Sequence, residues 1–279
     1  MLALGKINRL TIKKKVDFGY FLDGLEWGEI LLPKRYAPED AAVGMPLDVF
    51  LYLDSEDQLI ATTEKPAIMV GQYASLRVIA VNRVGAFLDW GLSKDLLVPY
   101  SEQQIPMQEG KRYLVHCMVD NSNRIIASSK LDKYLHKTTP DYQPQQRVDI
   151  IIAGRTDLGY KAIINQQHWG LLFKDQVFKT LYPGQSMQAY IVQQRPDGKI
   201  DLSLNPPGVA KMKALEPEIL SQLQQAGGFL PLHDKSSPEA IYQQFSASKK
   251  AFKQAIGSLY KAKKITISSD GIHLTESAE

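Results

Sequence analysis

The sequence predicts a mainly β protein: three tandem five-stranded barrels followed by a smaller α+β module. Three observations predict it. The first three quarters of the chain hold short runs rich in Val, Ile, Tyr and Phe, cut by Gly, Asp, Asn and Pro. Those runs recur at fixed intervals in three successive blocks. The last quarter changes character, to helical apolar spacing and then a short hairpin.

The repeat rests on intervals. Block one reads DFGYFLD, EILLPKRY, VGMPLDVFLYL and DQLIATT; block two reads RVGAFLDW, DLLVPYSE, EGKRYLVHCMV and NRIIASS; block three reads DLGYKAII, GLLFKDQ, PGQSMQAYIVQ and GKIDLSL. Phe21 to Pro33, Phe87 to Pro99 and Lys161 to Phe173 are each 12 residues, and the following steps to Gly44, Gly110 and Gly184 are each 11. Breakers at Thr63–Gly71, Lys137–Arg147 and Asn205–Gly208 divide the chain. The expected domains are 1–66, 67–140, 145–206 and 210–279.

In block two the expected strands are Tyr73–Asn82, Gly85–Gly91, Leu96–Val98, Tyr113–Val119 and Ile125–Ser129. Five strands in so short a block suit a small closed barrel, with a bulge or bend at the glycine that opens the second strand. Alternation assigns the faces. Ala86, Leu88 and Trp90 form the interior set, which turns Phe87 outward beside Asp89. Tyr20 and Leu22 likewise turn Phe21 outward, and in block three Tyr160 is read as interior and Lys161 as exposed.

In the last block Ala214–Gln225, Glu239–Phe245 and Lys249–Lys264 read as helices, with Pro238 opening the second and Ser248 capping the third. Phe252, Ile256, Leu259 and Tyr260 form an apolar stripe on the third helix, and Lys250, Lys253, Lys261 and Lys264 form a basic one. A hairpin of Ile265–Ser268 and Gly271–Leu274 completes a winged helix.

The net charge of +3 is small, but its distribution is uneven. Residues 1–66 carry 8 basic and 11 acidic side chains, net −3, and residues 67–137 carry 9 and 6, net +3. From Ala240 to Ser269 there are six lysines and no carboxylate. A single cysteine, Cys117, excludes an internal disulfide and fits a reducing, cytoplasmic setting. No apolar run is long enough to span a membrane, and a monomer without cofactor or metal is expected. The five histidines are scattered, and nucleophile elbow, glycine-rich phosphate loop and HExxH are all missing, so no catalytic residue is assigned.

GAFLDWG…DLLVPYSE and DFGYFLDG…EILLPKRY resemble the S-one RNA-binding domain, an OB-fold. Gly85, Ala86 and Phe87 fit its glycine, small residue and exposed aromatic; Phe18, Gly19 and Phe21 fit it too, with the family's extra aromatic at Phe18. The family's histidine is replaced by Pro33, Pro99 and Phe173, and the aromatic of block three is Lys161. Three such domains and a winged helix resemble the conserved virulence factor B proteins of bacteria. That resemblance implies a non-catalytic RNA-binding regulator of gene expression.

The expected partner is single-stranded RNA. Phe18, Phe21 and Phe87 would stack bases; Lys34, Arg35, Arg83, Arg124, Lys161, Lys250, Lys253, Lys261 and Lys264 would meet phosphate. Two alternatives remain at this stage: a duplex-DNA regulator working through the winged helix, and a protein-interaction scaffold.

Overall fold

A computed structural model describes residues 2–137, 141–174, 177, 179–205, 210–245 and 247–275. Parts of the predicted breakers at 138–140 and 206–208 therefore lie outside the described residues. The architecture is three closed barrels and a C-terminal winged helix.

Barrel one comprises β1 (Ile7–Val16), β2 (Gly19–Asp23), β3 (Glu29–Pro33), β4 (Pro46–Leu53) and β5 (Leu59–Thr62). Barrel two comprises β6 (Tyr73–Asn82), β7 (Gly85–Asp89), β8 (Leu96–Pro99), β9 (Arg112–Val119) and β10 (Ile125–Ser128). Barrel three comprises β11 (Arg147–Arg155), β12 (Gly159–Ile164), β13 (His168–Phe173), β14 (Ser186–Gln194) and β15 (Ile200–Ser203). Each closes in the order first, second, third, fifth, fourth, with the third and fifth strands parallel.

The repeated glycine has a steric cause. Gly19, Gly85 and Gly159 have φ of 156°, 155° and 155°. A Cβ there would lie 2.3, 2.2 and 1.9 Å from the carbonyl oxygens of Leu32, Val98 and Leu172. Only glycine lets the second strand approach the third this closely. The bulge lies elsewhere than expected. It is on the first strand, where Lys13, Ile79 and Ala153 are skipped by the pairing. The extra residue bends that long strand round the barrel.

Interior residues alternate as predicted in β7, where Ala86 and Leu88 are fully buried. Trp90 is also buried, but against barrel one: its ring meets Phe50 and Tyr52 edge-on at 5.7 and 6.5 Å. Strand β4 therefore buries both faces over Val49–Tyr52, and it reads as a continuous apolar run. Barrels one and two form one compact unit with a shared core. Tyr160 is half-buried beside its barrel's core and not within it.

The last module contains α1 (Ala210–Gln225), β16 (Phe229–Leu230), α2 (Pro238–Phe245), α3 (Lys249–Lys261), β17 (Ile265–Ile267) and β18 (Ile272–Leu274). Ser248 caps α3, its Oγ accepting the Ala251 N–H at 3.2 Å. Phe252, Ile256 and Leu259 are buried in the module's core. The wing gains a third strand, in the order β16–β18–β17. Two expectations fail at the end of α3. Tyr260 is 56% exposed, because the core face is complete at Leu259. Lys264 lies beyond the helix, where its N–H caps the Leu259 carbonyl.

Candidate nucleic-acid interface

The outward candidate residue of each barrel sits on the second strand, opposite the residue that follows the bulge. Phe21 pairs with Lys14, Phe87 with Ala80 and Lys161 with Gly154. In barrel one this puts the Lys14 ammonium 4.7 Å from the centre of the Phe21 ring. Lys14 also bonds Glu29 at 2.6 Å. Phe18 is 61% exposed and meets Phe21 edge-on at 6.3 Å. Two aromatic rings and a cation thus share one surface, the combination that stacks unpaired bases and meets phosphate. Lys34 and Arg35 are exposed on the turn after β3, with the Arg35 guanidinium 4.6 Å from the Tyr36 ring.

In barrel two Phe87 is half-buried and Arg83 is exposed just ahead of β7. Phe87 lines a cavity of about 490 Å³ walled by both barrels of this unit. Tyr52 and Asp57 come from barrel one; Trp90, Asp95, Leu97 and Arg124 come from barrel two. Lys94 pins the junction by bonding Asp57 at 2.9 Å. Tyr36 adds a hydrogen bond to the Ser93 hydroxyl at 2.9 Å.

Arg124 is held by its own turn. Its Nε and Nη2 donate to Asp120 Oδ2 at 3.0 and 2.8 Å. Burial alone would raise the Asp120 carboxyl, but the Arg124 backbone and guanidinium donors and the Ser122 N–H hold it below the usual carboxylate range. The pair fixes the guanidinium at the cavity rim.

Barrel three carries a different surface. The Lys161 ammonium lies 3.7 Å from the centre of the Trp169 ring, on the neighbouring β13. Arg195 bonds Asp201 at 2.9 Å and sits 5.3 Å from the Phe173 ring. The aromatics here are capped by cations.

On the winged helix Lys250, Lys253, Lys261 and Lys264 are all exposed, and Lys253 faces Asp234 at 3.8 Å. Among the described residues no group of three or more His, Cys, Asp or Glu is placed to hold a metal ion. None of the described helices is long and apolar enough to cross a membrane.

Sequence reasoning read Lys13–Lys15 as a solvated turn and so did not place Lys14 beside Phe21, and it missed Asp120, Trp169 and Asp95. Lys14 was hidden because a bulge shifts the register by one. Asp120 could have been read from its spacing of four to Arg124. Trp169 needed the strand pairing of barrel three, and Asp95 needed the cavity.

Residues 4–64 and 70–130 match the S1 domain, and residues 217–274 match the CvfB-like winged helix domain. YitL of Bacillus subtilis, described as uncharacterized, is 30% identical over 273 residues, spanning 92% of this chain and 88% of that protein. Conserved virulence factor B of Staphylococcus saprophyticus is 27% identical over 283 residues, spanning 98% and 95%. The chain belongs to the conserved virulence factor B family. Both S1 matches fall on barrels one and two of this CvfB-family chain, and barrel three lies outside the matched residues. A crystal structure of a multidomain protein with nucleic acid binding domains from Streptococcus pneumoniae aligns over 98% of both chains, at 25% identity and a TM-score of 0.43. S1 and winged-helix modules are nucleic-acid-binding types, so nucleic acid is the partner class.

Proposed function

We propose that this CvfB-family protein is a non-catalytic RNA-binding protein that grips unpaired RNA and regulates gene expression after transcription. One observation carries the reading: two S1 barrels of the same compact unit present a phenylalanine ring at the same outward position, Phe21 and Phe87. A stacked base has no such access inside a duplex, so rings of this kind favour single strands. Phe18 widens the first platform. Lys34, Arg35, Arg83 and Arg124 supply phosphate contacts around the two rings, and Lys161 supplies one in barrel three. Tandem sites on one chain multiply weak contacts through effective concentration. The reading places the protein in the cytoplasm as a monomer of four domains, 1–66, 67–140, 145–206 and 210–279.

The lysines of α3 favour a second reading, duplex DNA held by the winged helix. Three exposed cations on the helix, Lys264 just beyond it, and no carboxylate on the helix are suited to a polyanion of either kind. Titration of single-stranded RNA and duplex DNA of matched length at one salt concentration separates the two. Tighter binding of RNA is the expected result, and tighter binding of DNA overturns the RNA reading.

A further inference from the structure

The cavity beside Phe87 holds four charged residues: Asp57, Lys94, Asp95 and Arg124. Three are already satisfied. Asp57 bonds Lys94 at 2.9 Å, and Arg124 bonds Asp120 at 2.8 Å. Asp95 alone has no hydrogen bond or ion pair to any described residue. Its burial, and then the neighbouring Asp89 carboxylate, push its pKa up.

The ladder explains its position. β7 pairs antiparallel with β8, Phe87 opposite Leu97. Continued by two residues, that register sets Asp95 opposite Asp89, on the same outer face as the Phe87 ring. Asp95 is therefore the diagonal cross-strand neighbour of Phe87, about 7–8 Å away. A base lying on Phe87 therefore extends its edge toward Asp95.

A carboxylate is acceptor-only and can take two parallel N–H bonds. Two carboxylates side by side repel phosphate, so the group that fits here is a base edge with two adjacent donors. Uracil, cytosine and adenine have no two adjacent donors on the Watson–Crick edge. Guanine presents two adjacent donors there, N1–H and the N2 amine.

We propose that the cavity between barrels one and two is a guanine-selective pocket, with the base stacked on Phe87 and its Watson–Crick edge donated to the Asp95 carboxylate. The volume of about 490 Å³ falls within the usual range of ligand pockets, about 300–1,000 Å³. Lys94 is the residue that holds the barrel-one wall in place, through Asp57. The proposal rests on the RNA reading above and adds a base preference to it.

The test is fluorescence anisotropy of the full chain with short labelled uridine strands that carry one central guanosine, inosine or adenosine. The guanosine strand should bind roughly tenfold more tightly than the adenosine strand. Inosine, which keeps N1–H and lacks the N2 amine, should fall between them. Asp95→Asn should erase the guanosine preference, so that the guanosine and adenosine strands bind alike. Equal wild-type affinities for the three bases overturn the pocket and leave RNA binding standing; this comparison needs no variant to fold. A guanosine preference that survives in Asp95→Asn also overturns the assignment. Absence of binding to every strand defeats the RNA reading itself, and the pocket with it.

Discussion

Barrels two and three have the same strand order, the same twelve-residue interval and a glycine at the same φ of 155°. They differ at one outward position, where barrel two carries Phe87 and barrel three carries Lys161. In barrel two the ring walls a cavity and can receive a base. In barrel three the lysine already covers an aromatic ring, Trp169. The comparison separates two kinds of constraint on one repeat. Glycine and the buried alternation keep the barrel closed, whereas the residue facing out decides what the closed barrel can hold. That division matches the extent of the S1 resemblance, which covers barrels one and two.

The largest effect expected is on stability, and it should be the same in both barrels. Gly85→Ala drives a Cβ to 2.2 Å from the Val98 oxygen, and Gly159→Ala drives one to 1.9 Å from the Leu172 oxygen. Each should cost roughly 3 kcal/mol or more by denaturant titration. A mild effect in either barrel breaks the claim that the glycines do the same work.

The next effect should differ between the barrels. Phe87→Ala should weaken single-stranded RNA binding by roughly 1–3 kcal/mol, while Lys161→Ala should change it by about 1 kcal/mol or less, as for other exposed charges. Equal losses would show that barrel three is a binding surface of the same rank.

A third difference lies in acid sensitivity. His116 of barrel two is buried between the Tyr73 and Tyr134 rings, and burial pushes its pKa down to about 4. The unfolded chain therefore takes up the proton first. The stability tied to His116 is intact above about pH 6.5 and is lost as pH falls toward about 4. The same ladder position in barrel three is Tyr190. His116→Phe should flatten the fall in unfolding midpoint over that window, and an unchanged pH profile would refute the assignment.

The smallest effect belongs to the winged helix. Replacing Lys250 and Lys253 by Ala should reduce the salt dependence of RNA binding by about 0.7 in log–log slope per lost phosphate contact. No change in slope would mark α3 as a structural or protein-docking element.

Much of the fold was legible because its constraints are local. The glycine opposite the third strand, the alternation of Ala86 and Leu88, and the Ser248 cap each act within a few residues or at a fixed interval. What escaped depends on partners distant in sequence. Trp90 continues the alternation of β7 and so looked interior, but barrel one buries it. Tyr260 follows Leu259 on the stripe, and nothing in the helix period shows that the core ends there. The bulges move Lys14 onto Phe21, and a one-residue slip is invisible without the pairing. Candidate residues were legible as types in place, Phe87 above all; the cavity, with Asp95 inside it, exists only once two barrels share a core.

The central claim is that unpaired bases stack on the two outward phenylalanines of the S1 barrels. The most direct measurement is the affinity of the Phe21→Ala, Phe87→Ala double variant for single-stranded RNA, beside wild type at the same salt. A loss of roughly 2 kcal/mol or more, with the fold retained, is the predicted result. Unchanged affinity in the double variant would contradict the account.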